Sequence, residues 1–193
     1  MEASVIVERL KQRFDDGIGT FTVDNPDPFV LVDRKVLVEV CCFLKQDPSL
    51  ELDFLPSISG LDLGEKVQVV YHLWSYKHRH GIVLKVELQP DDLAVPSVSR
   101  VWRAANWLER EQYDLFGIVF TGHPDLRRIM LPEDWVGHPL RKSYVFPEQY
   151  HGIEHYRPNP SDQLKALDDL KAKALIAAEP KTPTSTATPE KPS

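Results

Sequence analysis

Hydrophobic residues in the first part of the chain switch between helical and strand spacing. In residues 4–14 the apolar positions recur about every three to four residues, which predicts a short amphipathic helix. Residues 21–23 and 29–32 are predicted to form two strands around a turn that is rich in Asp and Pro. Asp33 follows as the predicted N-cap of a second helix that extends through Lys45.

Three further runs, residues 54–63, 67–75 and 81–88, are rich in Val, Ile and Leu and predict strands. The last two are joined by the polar residues 76–80, which are typical of a hairpin turn. Apolar residues occupy both alternating sets of positions in 67–75, so we expect this strand to be covered on both faces. The order of elements predicts an α+β fold, a two-layer sandwich of one mixed β-sheet with helices mainly on one face.

The remaining chain predicts one more helix and a polar end. Ser97 and Ser99 offer caps for a helix from about residue 100 to Phe116, which Gly117 would end in a left-handed conformation. We therefore expect a sandwich core over residues 1–95, and a helix with a docking segment of the same domain over 96–150. A C-terminal extension, residues 151–178, has helical propensity in its second half. Residues 179–193 contain only Pro, Thr, Ser, Ala, Glu and Lys and are expected to be disordered.

The net charge, the apolar runs and the cysteine count exclude several classes of function. The formal net charge of -6 argues against nucleic acid as a partner, because phosphate binding needs a cationic surface. No apolar run reaches the roughly 18 residues that span a bilayer, and the first residues do not resemble a signal peptide. We therefore expect no direct membrane insertion and a cytoplasmic location. Cys41 and Cys42 are adjacent and too few for an iron–sulfur cluster, which takes about four cysteines, so no disulfide and no cluster are expected.

Several residues could carry chemistry. His123 and His138 each stand in a Gly-His-Pro sequence, which favours a histidine that hydrogen-bonds the backbone in a tight turn over a metal ligand. Glu109 and Asp114 could act as an acid–base pair, yet the chain has no phosphate-binding glycine motif and no GxSxG or HExxH motif. A metal-dependent enzyme that uses these four residues remains an alternative.

Charged and bulky apolar residues alternate from residue 109 to residue 142. Arginine is frequent there, and a guanidinium can pair with a carboxylate while its stem excludes water. This pattern predicts a protein–protein interface, and replacement of Arg127 or Arg141 by Ala is predicted to impair assembly more than folding. The candidate interface residues are Glu109, Arg110, Glu111, Asp114, Phe116, His123, Asp125, Arg127, Arg128, His138, Arg141 and Lys142.

The same segment carries a family resemblance. Residues 109–118 (EREQYDLFGI), 120–129 (FTGHPDLRRI) and 137–142 (GHPLRK) closely resemble the signature of the 30-kDa subunit family of respiratory complex I. Its bacterial members are the C subunits of NADH-quinone oxidoreductase, and the J subunit is the plastid counterpart. Weaker similarity extends over about residues 5–144. One departure is Ser143, where the family usually has Asp, so a contact made by that Asp would be weakened to a neutral hydrogen bond.

The resemblance implies a non-catalytic subunit of the peripheral arm, on the cytoplasmic side of the inner membrane. The implied neighbours are the 49-kDa-type subunit and the small subunit that holds the terminal iron–sulfur cluster. The complex as a whole uses FMN, iron–sulfur clusters, NADH and quinone and translocates protons, whereas this chain is expected to bind no cofactor. A related subunit of a membrane-bound NiFe hydrogenase, or of a quinone oxidoreductase with another electron donor, is the alternative.

Overall fold

The computed structural model describes residues 2–23 and 27–154, in two units that comprise Met1–Phe146 and Pro147–Ser193. Part of the predicted turn before residue 29, most of the C-terminal extension and the whole tail of residues 179–193 lie outside the described residues. The helical propensity of residues 161–178 and the disorder of the tail therefore stay predictions. No helix in the described ranges is long and apolar enough to cross a membrane.

The first unit is a mixed sheet with three α-helices. In chain order, the elements of the two units are α1 (Ala3–Phe14), a 3-10 turn (Asp15–Gly17), β1 (Ile18–Thr22), β2 (Phe29–Val32), α2 (Leu37–Gln46), β3 (Phe54–Asp62), β4 (Val67–Ser75), β5 (His80–Leu88), β6 (Ala94–Pro96), α3 (Ala105–Phe116), β7 (Val119–Thr121), β8 (Gln149–Tyr150) and β9 (Ile153–Glu154). The five-stranded sheet has the order β1-β2-β5-β4-β3, in which β2 and β5 are parallel and the other neighbours are antiparallel. A short parallel pair, β6 and β7, lies outside that sheet, and the second unit contributes the antiparallel pair β8 and β9.

One face of the sheet forms the core with all three helices, which confirms the predicted α+β sandwich. Alternate residues of β4, including Val69 and Tyr71, join a buried cluster with residues from α1, α2 and α3. On the opposite face, Val70 and Gln68 are also buried, as the apolar run predicted, but Trp74 near the strand end is 39% exposed. Cys41 lies fully buried in the core, and both cysteines are free thiols.

Two helix starts differ from the predictions. α2 begins at Leu37 without a side-chain cap, because the carboxylate of Asp33 accepts the N–H of Lys35 at 2.8 Å in the turn before it. α3 begins at Ala105 and not near residue 100, because the carbonyl of Val98 accepts two N–H groups in a preceding turn. The polar side chains predicted as caps form other contacts: Asp33 stabilises a turn, and the hydroxyl of Ser97 donates to the carboxylate of Glu109.

α3 approaches β3 closely, and this contact positions the region described below. The side-chain oxygen of Gln112 accepts the N–H of Gly60 at 2.7 Å in a buried site. A Cβ at Gly60 would lie 2.7 Å from the ring of Phe116, so the absence of a side chain there lets the helix reach the strand. α3 is therefore fixed against the sheet along its buried side.

Candidate protein-interaction site

The end of α3 is fixed by a glycine and a histidine. Gly117 adopts a left-handed conformation, with φ 75°, and its N–H donates to the carbonyl of Tyr113, as the sequence predicted. A Cβ at Gly117 would lie 2.6 Å from the ring of His138, so this position needs glycine for space as well as for its backbone angle. The helix end is thereby held against a later part of the chain.

Asp114 is the centre of the contacts that hold residues 122–146, which we call the anchored loop. Its side chain is fully buried. One carboxylate oxygen accepts the N–H groups of three successive residues, Ile129, Met130 and Leu131, at 2.7–3.1 Å. The other oxygen accepts a guanidinium N–H of Arg128 at 2.8 Å. Burial alone would raise the pKa of Asp114, but these donors outweigh it and lower the pKa below its ordinary value.

Backbone carbonyls at the end of α3 add further contacts to the anchored loop. A ring nitrogen of His138 lies 2.9 Å from the carbonyl of Asp114, and the N–H of Leu140 donates to the carbonyl of Leu115. Arg128 donates a second hydrogen bond to the carbonyl of Gly137 at 3.1 Å. A loop without regular secondary structure is thus fixed at several points along its length.

The anchored loop also reaches the end of β3 through Asp62. The N–H of Lys142 donates to the Asp62 carboxylate at 2.9 Å, and Nε of Arg141 lies 3.1 Å from the same oxygen. Burial would raise the pKa of Asp62, but the N–H groups of Lys142 and Gly64 and the charge of Arg141 lower it overall. Arg141, predicted as an interface residue, therefore pairs inside the chain.

Glu109 lies in a different environment on the same helix. Its side chain is fully buried and accepts the hydroxyl of Ser97 at 2.6 Å and the N–H of Val98 at 2.7 Å. No guanidinium or ammonium group within the described ranges forms an ion pair with it, and Nε2 of His123 lies 4.0 Å from one of its oxygens. Burial raises the pKa of Glu109 to about 7, although the Ser97 and Val98 hydrogen bonds oppose that rise.

His123 stabilises the turn in which it stands. Nδ1 accepts the N–H of Asp125 at 3.0 Å, so the proton of the neutral ring is on Nε2, which donates to the carbonyl of Asn106 at 3.1 Å. His138 likewise bonds a backbone carbonyl, and both contacts match the turn histidines predicted from Gly-His-Pro. In the part of the chain that the structure describes, no three His, Cys, Asp or Glu side chains are grouped as a metal site would need.

The predicted interface residues differ in exposure, and the prediction that they form an interface stays a prediction. The buried residues of this set hold the anchored loop in place within the chain. Only the exposed residues could contact another protein. Glu109, Arg110, Asp114 and Phe116 are buried; Glu111, His123, Arg128, His138 and Arg141 are partly exposed; Asp125, Arg127 and Lys142 are exposed.

Several apolar side chains of the anchored loop face solvent. Met130 is 62% exposed, Leu140 51%, Val136 81% and Val145 85%. The contacts with α3 hold the anchored loop at several points, so these side chains project from a fixed segment. Val136 and Val145 line the same open cleft and together form an apolar surface. Neither Val136 nor Val145 was predicted to lie at a surface of this kind, because an apolar residue in an irregular segment has no periodicity from which its exposure can be read.

A family model described as "Respiratory-chain NADH dehydrogenase, 30 Kd subunit" matches residues 30–150. The chain belongs to this family. The matched residues include the mixed sheet from β2 onward, α3 and the anchored loop. The family assignment made from the three sequence blocks is therefore confirmed.

Bacterial relatives support membership of the 30-kDa subunit family, and each is named as the C subunit of an NADH-quinone oxidoreductase. The relative from Chlorobium phaeobacteroides is 39% identical over 79% of this chain and 95% of its own length. The relative from Roseiflexus sp. is 43% identical over 74% of this chain and 83% of its own length. For the relative from Chloroherpeton thalassium, which is 39% identical, the match covers 75% of this chain but 62% of that protein.

Two solved structures share the fold. The trypsin-resistant fragment of Nqo5 aligns with a TM-score of 0.53 and 32% identity over 63% of this chain and 99% of that one. A chain of the membrane-bound sulfane sulfur reductase, an archaeal respiratory membrane complex, aligns with a TM-score of 0.54 over 97% of this chain and 100% of that one. Its identity is 16%, so this second likeness concerns the fold alone.

Proposed function

We propose that this chain is a structural, non-catalytic subunit of the peripheral arm of a proton-translocating NADH:quinone oxidoreductase, on the cytoplasmic side of the membrane. Its membership of the 30-kDa subunit family is the observation that carries the proposal. The proposed neighbours are the 49-kDa-type subunit and the small subunit with the terminal iron–sulfur cluster. Electron transfer from NADH to quinone takes place on those and other subunits, and this chain holds them in position.

The chemistry of the family segment supports a structural role. The two buried carboxylates, Glu109 and Asp114, use their oxygens to accept hydrogen bonds from within the chain. The two Gly-His-Pro histidines bond backbone carbonyls. Groups engaged in this way fix a surface, and they are not arranged as a nucleophile with an adjacent base would be.

The exposed surface supports assembly with other proteins. Apolar side chains such as Val136 and Val145 would lose contact with water if another protein covered the anchored loop. Because the loop is already fixed by hydrogen bonds to α3, its ordering would add little entropic cost to association. A preformed apolar surface of this kind fits a permanent position in a complex.

Affinity purification tests the proposal. A tagged copy of the chain, expressed in its own organism, should recover NADH-binding and iron–sulfur subunits from detergent-solubilised membranes, identified by mass spectrometry. The isolated chain should bind no stoichiometric flavin, iron or zinc by absorption and metal analysis. Recovery of a NiFe large subunit without NADH-binding subunits would favour the hydrogenase-type alternative, and a bound chromophore or metal would contradict the non-catalytic role.

A further inference from the structure

A cleft of about 400 Å³ lies beside the first turns of α3. It is bounded on one side by the turn that precedes α3 and on another by the Gly-His-Pro turn that begins the anchored loop. A Cβ at Gly122 would meet no atom within 4 Å, so this edge of the cleft is open. The residues that line it are Ser99, Arg100, Arg103, Asn106, Trp107, Gly122 and Pro124.

The charge of the cleft differs from that of the rest of the chain. Arg100 and Arg103 line it and are exposed, and no carboxylate is among the described residues that line it. The whole chain, by contrast, has an excess of acidic residues and a formal net charge of -6. Two cationic side chains without a carboxylate between them therefore form a local positive site on an acidic protein.

Most of the other arginines in the described ranges already have partners. Neither Arg100 nor Arg103 forms an ion pair with any described carboxylate, which leaves their guanidinium donors available to another molecule. The arginines that do pair with a carboxylate are Arg9, Arg34, Arg127, Arg128 and Arg141.

Trp107 gives the cleft a fixed aromatic wall. Its side chain is 64% exposed, yet the guanidinium carbon of Arg110 lies 4.9 Å from its ring centre. Arg110 is itself buried and donates hydrogen bonds to the carbonyls of Arg127 and Arg128. The tryptophan thus rests on a residue that cannot move freely. Exposed Trp and Arg side chains around a concave site are the residues that most often dominate the binding free energy at protein interfaces.

We infer that this cleft binds an acidic segment of a neighbouring protein subunit, whose carboxylates pair with Arg100 and Arg103 beside Trp107. The inference rests on the proposed function, because it takes the chain to be part of a larger complex. Charge complementarity selects the occupant, since a guanidinium can hold a carboxylate through two parallel hydrogen bonds. A membrane or nucleic acid fits less well, because its long array of phosphates would be repelled by the acidic remainder of the chain.

Charge reversal tests the inference in the assembled complex. The double variant Arg100→Glu/Arg103→Glu should be recovered with at least about tenfold less of the partner subunits than the unaltered chain at moderate salt. The variant Lys11→Glu/Lys35→Glu changes the net charge equally at two other exposed positions and should recover normal amounts. Circular dichroism and thermal unfolding of the purified chains verify that both variants fold.

A charge-preserving variant identifies the occupant. Arg100→Lys/Arg103→Lys should assemble, and carbodiimide treatment of that complex should join one of the substituted side chains to an Asp or Glu of another subunit, seen by mass spectrometry.

If the charge-reversal variant recovered as much of the partner subunits as the unaltered chain does, the acidic docking site would be overturned while the proposed function stood. If the unaltered chain recovered no partners, both would fail. Binding to phosphatidylglycerol vesicles that charge reversal abolished, with normal assembly, would assign the cleft to lipid and overturn the inference.

Discussion

The two halves of α3 each bury a carboxylate, and the pKa values of the two carboxylates are shifted in opposite directions. Asp114, near the C-terminal end, accepts three backbone N–H groups and a guanidinium at 2.8 Å, and its pKa is lowered. Glu109, earlier in the helix, accepts one hydroxyl and one N–H, and burial raises its pKa to about 7. The difference shows that the ionisation of a buried acid depends on the balance between burial, which raises its pKa, and the number and charge of its donors, which lower it.

The two sites also differ in what they hold. Asp114 joins α3 to the anchored loop, so its negative charge stabilises the surface proposed for assembly. Glu109 joins α3 to the turn of Ser97 and Val98, which precedes the same helix. An ionised acid fixes the loop, whereas an acid that is half neutral near pH 7 fixes the beginning of the helix region.

The largest effect is expected at Asp114. Replacement by Ala leaves Arg128 without its carboxylate and three N–H groups without an acceptor, and it should lower the free energy of unfolding by about 3–5 kcal/mol. Urea unfolding measures that loss, and hydrogen exchange should become faster at Ile129, Met130 and Leu131. Asp125→Ala is the control, because the Asp125–Arg127 pair is largely exposed and should contribute within about 0.5 kcal/mol. Equal losses in the two variants would contradict the role assigned to Asp114.

The pH dependence of stability should distinguish Glu109 from Asp114. Because the folded-state pKa of Glu109 is raised from 4.5 to about 7, its contribution to stability is fully present below pH 4.5 and is lost as the pH rises through 7. The shift corresponds to roughly 3 kcal/mol at most. The pKa of Asp114 is lowered, so its contribution is present above pH 3.8 and is lost as the pH falls through the folded-state pKa.

Glu109→Gln isolates the first of these effects. The variant has no ionisable group at this position, so its stability relative to the unaltered chain should increase from pH 5 to pH 8 and then level off. Urea unfolding at several pH values measures the difference in stability between the variant and the unaltered chain. The other carboxylates are present in both chains, so their contributions cancel. A difference that stayed constant over that range would show that Glu109 has an ordinary pKa.

A smaller effect is expected where α3 meets His138. Gly117→Ala places a Cβ 2.6 Å from the histidine ring at a positive φ, and should cost about 2–3 kcal/mol in the free energy of unfolding. Gly122→Ala is a matched control with φ 81° and no atom near the added Cβ, so it carries only the backbone cost of about 1 kcal/mol. Thermal or urea unfolding compares the stabilities of the two variants. Equal losses in the free energy of unfolding would mean that the His138 ring moves aside at no energetic cost.

Part of the candidate site could be predicted from the sequence, because the residues that indicate it are adjacent in the chain. Gly117 was predicted to end α3, and the flanking Gly and Pro indicated that His123 and His138 would bond the backbone of a turn. The start of α3 was placed too early because Ser97 suggested a cap. Its hydroxyl instead donates to Glu109, twelve positions later, and no local pattern distinguishes these two uses of a serine.

The predicted interface residues show the same division. The sequence predicts the same interface role for Arg127 and Arg141, since both are arginines in a mixed-charge segment. In the fold, Arg127 is exposed beside Asp125, whereas Arg141 lies against Asp62 at the end of β3, 79 positions earlier by residue number. Replacement of Arg141 therefore disturbs the chain itself, which its sequence environment did not indicate.

Four properties could be predicted from the order of the residues alone: the alternation of helices and strands, the α+β class, the glycine that ends α3 and the family to which the chain belongs. These depend on periodicity, backbone preference and contiguous motifs, all of which are local. The folded chain was needed to show which charges are buried, which acid is stabilised as an anion, and which apolar side chains of the anchored loop face outward. Those properties depend on the donors and the solvent that folding brings to each side chain, and residues distant in sequence supply them.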